Sequence, residues 1–232
     1  MVSDFAGRMI SVMTWKSLEN GCFWMMSRTS RSKAFWDRVA RRYAARQIKD
    51  IAAYDAMLAQ ASMYLRAGDS VLELGCGTGT MAIRLAEGVG RYCATDFSDR
   101  MIQIARAKPA PASLEFQVST AETAFDGGPF DAICAFNLLH LVDDLPALLE
   151  QIHDALSPGG MLISRTWCFA DLPLPFRVLF GALRLVGVFP PVIWLRGDEL
   201  RRAITASGLV IEMDKTFGTR TQNPFIVARK PG

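Results

Sequence analysis

Short apolar runs and segments of helical periodicity alternate along most of the chain. Five apolar runs predict strands at residues 70–74, 91–96, 114–118, 130–136 and 160–167. Between these runs, apolar residues recur every three or four positions and predict helices at residues 81–88, 98–107 and 145–156. Because strands and helices alternate, we expect a parallel sheet that helices cover on both faces.

The pattern changes at the two ends of this predicted sheet. Residues 35–65 show helical spacing and predict two cap helices before the first strand. Beyond residue 170 an apolar insert, rich in proline and phenylalanine, interrupts the alternation. A helix at 198–206 and two strands at 209–213 and 224–228 follow, and the strands are close enough to form an antiparallel hairpin. We therefore expect a doubly wound α/β fold with a mostly parallel, seven-stranded sheet.

We divide the 232 residues into an arm and a single domain. Residues 1–34 lack clear periodicity and form the predicted N-terminal arm. Residues 35–232 form the domain, in which residues 35–66 supply the cap helices and residues 172–195 supply the apolar insert. Hydrophobic residues make up 50% of the chain and charged residues 21%, which excludes a disordered protein.

Charge and cysteine content narrow the classes of function. The formal net charge of +3 is too small to indicate a nucleic-acid-binding protein by itself. The five cysteines include no pair at metal-ligand spacing, so we expect a reduced, cytoplasmic protein without a metal site. No secretion signal is visible, and no window reaches the roughly 18 apolar residues of a membrane-spanning helix.

An acid and three glycines lie where the first predicted strand meets the following helix. These residues are Glu73, Gly75, Gly77 and Gly79, with Cys76 between the first two glycines. The stretch resembles the nucleotide-binding turn of class I S-adenosylmethionine-dependent methyltransferases. The dinucleotide fingerprint is the competing interpretation, but it needs a glycine three positions after the second one. The spacing favours S-adenosylmethionine, and we interpret Cys76 as a small residue chosen for fit.

The next predicted strand ends in a second motif that resembles this family. Asp96 can accept hydrogen bonds from both ribose hydroxyls, although a helix-capping carboxylate is the alternative. The resemblance implies that Phe97 covers the adenine and that Met101 belongs to the cofactor site. Ser98 is the predicted N-cap of the following helix.

Further motif residues extend the resemblance, which covers residues 36–166. Thr120, Ala121 and Glu122 align with a family motif that reads the adenine amino group, with Thr120 in place of the usual aspartate. Asn137 follows the fourth strand, and the resemblance implies that the turn at this position faces the transferred methyl group. Tyr43 resembles a tyrosine that closes over the methionine moiety, and a packing tyrosine is equally compatible with its position. Residues 157–160 resemble the turn into the fifth strand.

The resemblance implies a Rossmann-like fold, S-adenosyl-L-methionine as cofactor and S-adenosyl-L-homocysteine as product, and leaves the acceptor open. His140 is the candidate catalytic base for a hydroxyl or phenol, with a hydrogen-bonded loop histidine as the alternative. The Asn/Asp-Pro-Pro signature of adenine and glutamine amino-methyltransferases is absent after Asn137. We therefore favour methyl transfer to a small, lipophilic acceptor, at oxygen rather than nitrogen.

Three other functions remain open from the sequence. One is a phospholipid or quinone methyltransferase at the membrane surface, and another is a non-catalytic protein that binds S-adenosylmethionine. The third is an RNA methyltransferase, although we expect no nucleic-acid partner. Its support is a run of basic residues: Arg28, Arg31, Lys33, Arg38, Arg41, Arg42, Arg46 and Lys49.

The apolar insert, residues 172–195, is the predicted lid over the acceptor. We expect a helix at 174–188 that is too short to span a bilayer. Its apolar surface must meet core, acceptor or lipid, so peripheral contact with the inner membrane surface is compatible with a cytoplasmic location. Replacing Phe176, Phe180 and Leu183 with serine is expected to raise the acceptor's KM or to abolish liposome binding if the segment is a lid or a docking helix. Unfolding of this variant would instead identify the segment as core.

Overall fold

The computed structural model describes residues 28–185, 187–219 and 221–232. Most of the predicted arm, residues 1–27, lies outside the described residues, as does Val186 of the predicted lid helix. The domain boundaries drawn from the sequence remain a prediction.

Seven strands form one sheet in the order β3-β2-β1-β4-β5-β7-β6. Strands β1 to β5 pair in parallel, whereas β7 is antiparallel to both β5 and β6. The strands are β1 (Ser70–Leu74), β2 (Arg91–Asp96), β3 (Leu114–Val118), β4 (Phe130–Phe136), β5 (Leu156–Arg165), β6 (Val210–Lys215) and β7 (Phe225–Arg229). The predicted fold class, with its antiparallel C-terminal hairpin, is confirmed.

Seven α-helices accompany the sheet in the described part of the chain. They are α1 (Arg28–Ala44), α2 (Ile51–Ser62), α3 (Thr80–Leu85), α4 (Asp99–Arg106), α5 (Leu145–Ala155), α6 (Leu174–Leu185) and α7 (Gly197–Ala206). Short 3₁₀ turns at Ala86–Gly88 and Phe169–Asp171 follow α3 and precede α6. Helices α2, α3 and α4 pack on one face of the sheet, and α5 and α7 pack on the other. Because β1 to β4 are parallel, their carboxyl ends all lie at the same edge of the sheet.

Two predicted boundaries were wrong for local reasons. Helix α1 begins at Arg28 rather than at residue 35, and Lys33, which precedes the apolar period of this helix, forms ion pairs with Asp37 and Asp99. Strand β5 begins at Leu156, which pairs with Phe130 across a register shift. The predicted turn at 157–160 is therefore an irregularity inside β5.

A third apolar cluster stands apart from the two sheet faces. Helix α6, predicted to reach residue 188, ends at Leu185 and packs through its inner face into this cluster. We call it the aromatic cluster; its buried members are Phe169, Phe180, Leu183, Val188, Phe189 and Val192. Residues 172–195 therefore have a core of their own, outside the sheet.

Candidate active site

The carboxyl edge of β1 to β4 forms an open cleft with about 590 Å³ of empty space, part of which is bulk solvent. Ligands of open α/β sheets bind at such an edge, beyond the strands' carboxyl ends. The lining residues are Ser32, Trp36, Gly75, Phe97, Ser119, Thr120, Ala121, Glu122, Leu138, Leu141, Val142, Asp143 and Pro191. Turns after four strands therefore meet helix α1 and the 172–195 insert around one space.

Asp96 ends β2 and ties two turns together. Its Oδ2 accepts a hydrogen bond from the Gly77 N–H at 2.9 Å, and its Oδ1 accepts one from the Ser98 N–H at 2.9 Å. The side chain is only 8% exposed, and burial raises the pKa of Asp96 to about 6. Each carboxylate oxygen keeps a further lone pair, so Asp96 can still accept bonds from a ligand.

The three glycines of the β1–α3 turn all adopt positive φ but differ in what surrounds them. A Cβ on Gly75 would lie 2.7 Å from Leu138, and one on Gly79 would lie 2.6 Å from the Phe116 ring. A Cβ on Gly77 would meet only Tyr43, at 3.8 Å. Gly75 and Gly79 thus serve packing within the protein, whereas Gly77 leaves open space over its backbone.

Glu73 lies beneath this turn as a buried carboxyl. Its Oε2 accepts a hydrogen bond from the Tyr92 hydroxyl at 2.8 Å, and the side chain is 1% exposed. Burial raises the pKa of Glu73 to about 7, and the nearby Asp96 adds to the increase. Cys76, in the turn itself, is also buried, and burial raises the pKa of its thiol, so it stays a protonated packing residue.

Helix α1 covers the cleft beside the second motif. Ser98 caps α4 by accepting a hydrogen bond from the Met101 N–H at 3.2 Å, as predicted. The Ser98 hydroxyl also donates to Asp37 of α1 at 2.6 Å, which fixes α1 over this turn. Trp36 of α1 lines the cleft, and its buried Nε1 has no hydrogen-bond partner in the described structure.

The turn after β3 presents Thr120, Ala121 and Glu122 to the cleft, next to Phe97. The Thr120 hydroxyl lies 3.0 Å from the Thr123 hydroxyl, so one of its hydrogen-bonding positions is used within the turn. The remaining capacity of Thr120 is still enough for one acceptor contact to a ligand.

Asn137 follows β4 in a left-handed conformation, with φ at 57°. Such a conformation is strained for a residue other than glycine and collects at functional sites. Its N–H donates to the Arg165 carbonyl at 2.6 Å, while its buried Oδ1 has no partner among the described residues. The end of β4 therefore presents a fixed, unused acceptor.

His140 lies at the boundary between the cleft and the aromatic cluster. Its ring centroid is 5.4 Å from that of Phe169, and its carbonyl accepts a hydrogen bond from the Ile193 N–H. The side chain is 5% exposed, and burial lowers the pKa of His140 to about 3. The imidazole is therefore neutral at physiological pH, which differs from the ordinary pKa on which the sequence argument for a base relied.

The structure brings five of the predicted site residues to the lining of the cleft: Gly75, Phe97, Thr120, Ala121 and Glu122. Others lie behind that lining as buried supports: Glu73, Cys76, Asp96, Met101 and His140. Tyr43 is 40% exposed and stacks edge-on against Trp36, with ring centroids 6.0 Å apart. Sequence reasoning missed the other eight lining residues: Ser32, Trp36, Ser119, Leu138, Leu141, Val142, Asp143 and Pro191. Ser32, Trp36 and Pro191 come from the arm boundary and the insert, whereas the other five lie beside predicted motif residues in the turns after β3 and β4.

The geometry fits a nucleoside with a short charged tail. Open backbone at Gly77, the Asp96 carboxylate and the face of Phe97 suit a nucleoside. Trp36 Nε1, in the cleft lining, is a buried donor without a partner in the described structure, and Asn137 Oδ1, just after β4, is a buried acceptor without one. S-adenosylmethionine has partners for each of these groups.

Sequence comparison agrees with this geometry. Residues 40–212 match a family model described as a methyltransferase domain. A demethylmenaquinone methyltransferase from Lactococcus lactis subsp. lactis (strain IL1403) is 33% identical over 114 residues, 46% of this chain and 45% of the relative. A ubiquinone biosynthesis O-methyltransferase from Chelativorans sp. (strain BNC1) is 28% identical over 163 residues, 64% of this chain and 61% of the relative. The chain thus spans less than two thirds of either relative.

Solved structures share the fold at low sequence identity. The magnesium protoporphyrin IX methyltransferase from Synechocystis PCC 6803 with bound SAH matches with a TM-score of 0.65 and 19% identity, over 88% of this chain and 97% of that one. An S-adenosylmethionine-dependent methyltransferase from Mesorhizobium loti matches with a TM-score of 0.63 and 20% identity, over 76% and 96%.

Fold, cleft and family model together define the class of protein. The chain belongs to the methyltransferase domain family. Its fold is that of the class I S-adenosylmethionine-dependent methyltransferases, as the sequence predicted.

Proposed function

We propose that the protein transfers a methyl group to an oxygen of a small, lipophilic acceptor. The observation that carries this proposal is the character of the cleft wall next to Asn137. That wall is apolar, formed by Leu138, Leu141, Val142 and Pro191, and it continues into the aromatic cluster. Apolar walls with few polar groups are typical of sites for apolar ligands. The curated relatives named for quinone biosynthesis support the same acceptor class.

In this proposal the predicted cofactor residues act as a group. Asp96 accepts hydrogen bonds from the ribose, Phe97 packs on the adenine, and residues 120–122 contact its edge. Residues 73–79 and Asn137 surround the methionine end, and Tyr43 covers it. When bound, the cofactor supplies an electrophilic methyl group, so the protein's main task is to align the acceptor and exclude water.

His140 is the proposed catalytic residue that takes the proton of the acceptor hydroxyl. Its Nδ1 is buried and has no hydrogen-bond partner in the described structure. A neutral imidazole can accept a hydrogen bond from an acceptor hydroxyl at this atom. The hydroxyl proton becomes strongly acidic as its oxygen gains the methyl group, so even a weakly basic Nδ1 can receive it late in the reaction.

A deuterated-methyl cofactor tests the proposed reaction directly. The protein is incubated with this cofactor and matched pairs of lipophilic phenols and anilines, and the products are identified by mass spectrometry. We expect the label on oxygen of the phenols. Label on the anilines alone would contradict O-methylation, and cofactor binding without labelled product from any acceptor would support a non-catalytic protein.

The role of His140 has its own test. His140→Ala is expected to lower kcat roughly 10²-fold while the cofactor Kd stays unchanged, because a positioned proton acceptor is lost. At saturating cofactor, the wild-type kcat is expected to show no His140 titration between pH 5.5 and 8, since burial lowers the pKa of His140 to about 3. If the rate instead decreases as the pH is lowered past about 6.5, and does so in the wild type but not in His140→Ala, the base has an ordinary pKa.

We retain the cytoplasmic location as part of the proposal. Four of the five cysteines lie in the described structure, and all four are free and buried: Cys76, Cys93, Cys134 and Cys168. An RNA acceptor is the less favoured candidate, because the ion pairs of Lys33 with Asp37 and Asp99 use part of the basic run within the protein.

A further inference from the structure

Helix α6 turns an uninterrupted apolar face to solvent. Leu174 is 67% exposed, Val178 is 64% exposed and Leu185 is 86% exposed. Their separations of four and seven residues put them on one face of a helix. Ala182 is also exposed there, and Gly181 has open space around its Cα. Single exposed apolar residues are ordinary, but a whole helix face of them indicates a contact surface.

The inner face of the same helix is already occupied. Phe180 and Leu183 are each 7% exposed and pack in the aromatic cluster, where Phe180 meets Phe169 and Phe189. Phe180 and Leu183, which the sequence argument chose for a lid or docking test, are therefore core residues. The two faces of α6 have separate roles, and only the outer face is left without a partner in the described structure.

The charges around the outer face have one sign. Helix α6 contains no acidic residue, and both of its charged residues, Arg177 and Arg184, are exposed along one border of the apolar face, although the Arg184 guanidinium also donates to the Val192 carbonyl at 3.4 Å. The neighbouring Asp171 carboxylate is balanced by residues that follow the insert, since it accepts from the Gly197 N–H at 2.8 Å and lies 3.6 Å from the Arg196 guanidinium. A basic border beside an apolar face complements an anionic bilayer surface.

We propose that the outer face of α6 docks the protein onto an anionic lipid bilayer, with the helix lying in the plane of the interface. Its 12 residues make a helix of about 18 Å, too short for the roughly 30 Å of hydrocarbon. No helix in the described ranges of the chain has the length and hydropathy needed to cross a membrane. Partial insertion of the apolar face is the geometry that remains.

A second copy of the chain fits this surface less well. A stable homodimer buries about 800 Å² on each partner, which takes roughly 20–30 residues a side. The outer face of α6 offers far fewer residues than that. Two copies joined through this face by a two-fold axis would also bring Arg177 and Arg184 of each chain close to those of the other.

Vesicle flotation of the full chain tests the proposal. Vesicles of phosphatidylcholine alone are compared with vesicles containing phosphatidylglycerol, with neither cofactor nor acceptor present. We expect binding to the anionic vesicles, weakened by high salt. The triple variant Leu174→Ser/Val178→Ser/Leu185→Ser is expected to lower the partition coefficient at least about tenfold, because the inserting apolar area is lost.

Two further variants keep the test decisive. Arg177→Gln/Arg184→Gln leaves the apolar face intact and is expected to weaken binding to anionic vesicles about fivefold per arginine, with little effect on neutral ones. Ile51→Ser/Met63→Ser removes two other exposed apolar side chains, one in α2 and one just after it. This variant is expected to bind both kinds of vesicle as the wild type does. Circular dichroism melting confirms that each variant is folded.

Three results would overturn the docking proposal. They are absence of binding to either vesicle, equal binding by a folded triple variant, and a dimer in solution that the triple variant converts to a monomer. If the triple variant unfolds, the arginine variant alone decides. Because the assay contains no cofactor and measures no turnover, its failure leaves the proposed methyl transfer untouched.

Discussion

The two sides of the cleft, which we propose for the cofactor and for the acceptor, are ordered by different forces. On the cofactor side, turns are fixed by directional hydrogen bonds: Asp96 holds the backbone of Gly77 and Ser98, and Ser98 holds Asp37. On the acceptor side, residues 172–195 are held mainly by rings packed around Phe169. Hydrogen bonds demand specific geometry, whereas apolar packing tolerates changes of shape. The acceptor side can therefore vary while the cofactor chemistry stays constant.

The sharpest way to separate the two sides is to remove the central ring of the aromatic cluster. Phe169 has ring contacts with His140, Trp167, Phe180, Phe189 and Trp194. Phe169→Ala is expected to lower the free energy of unfolding by roughly 3–5 kcal/mol, because a large buried side chain is lost and a cavity remains.

Chemical denaturation and calorimetry check this prediction together. The folded Phe169→Ala protein is expected to bind S-adenosylmethionine almost normally and to lose acceptor turnover. Phe169→Leu serves as the control, since it keeps most of the apolar volume. An equal loss of cofactor affinity and turnover would show that the two sides are not independent.

A smaller effect is expected on the cofactor side from Asp96→Asn. The substitution keeps the shape of the side chain but replaces a charged acceptor with a neutral amide. We expect cofactor binding to weaken by about 1.5–3 kcal/mol, the range for hydrogen bonds to a charged group. Isothermal titration calorimetry measures the change, and Asp37→Asn is the comparison variant on α1. Unchanged affinity in Asp96→Asn would remove Asp96 from the binding site.

A further prediction is a pH dependence carried by the buried carboxyls. Burial raises the pKa of Glu73 to about 7 and that of Asp96 to about 6. In the unfolded chain both carboxyls titrate near pH 4. Between about pH 4 and 7 the folded protein therefore binds more protons than the unfolded chain, so the free energy of unfolding falls as pH rises.

Urea unfolding of the ligand-free protein at several pH values measures this slope. Glu73→Gln stays neutral throughout, so it is expected to lose less stability than the wild type between pH 5 and 7.5. The Tyr92 hydroxyl, which donates to Glu73, can donate to the amide oxygen as well. Parallel slopes for the two proteins would mean that Glu73 does not titrate in this range.

The same comparison explains what the sequence could predict. Strands β1 to β4 and the N-cap of α4 follow from apolar runs, glycines and Ser98, which are local signals. Trp36 and Pro191 reach the cleft through tertiary packing of α1 and the insert, and no local spacing encodes that. The low pKa of His140 depends on burial under Phe169, which periodicity does not report.

The start of α1 and the faces of α6 show a second limit of sequence reasoning. Lys33 forms ion pairs with Asp37 and Asp99, and polar contacts of this kind leave no apolar period in the sequence. In α6 apolar residues surround most of the helix, so the sequence could not tell which face the protein itself covers. Packing placed Phe180 inside and Leu185 outside.

The unpaired buried groups at Trp36 Nε1 and Asn137 Oδ1 bear on ligand discrimination. In the site we propose, a ligand that offers no acceptor to Trp36 and no donor to Asn137 leaves these already buried groups unpaired, and it forgoes about 1–3 kcal/mol apiece relative to a ligand that satisfies them. Analogues of similar shape are therefore rejected by what they fail to supply. Selectivity of this kind needs no steric gate, and it persists even when the surrounding apolar wall is reshaped for a new acceptor.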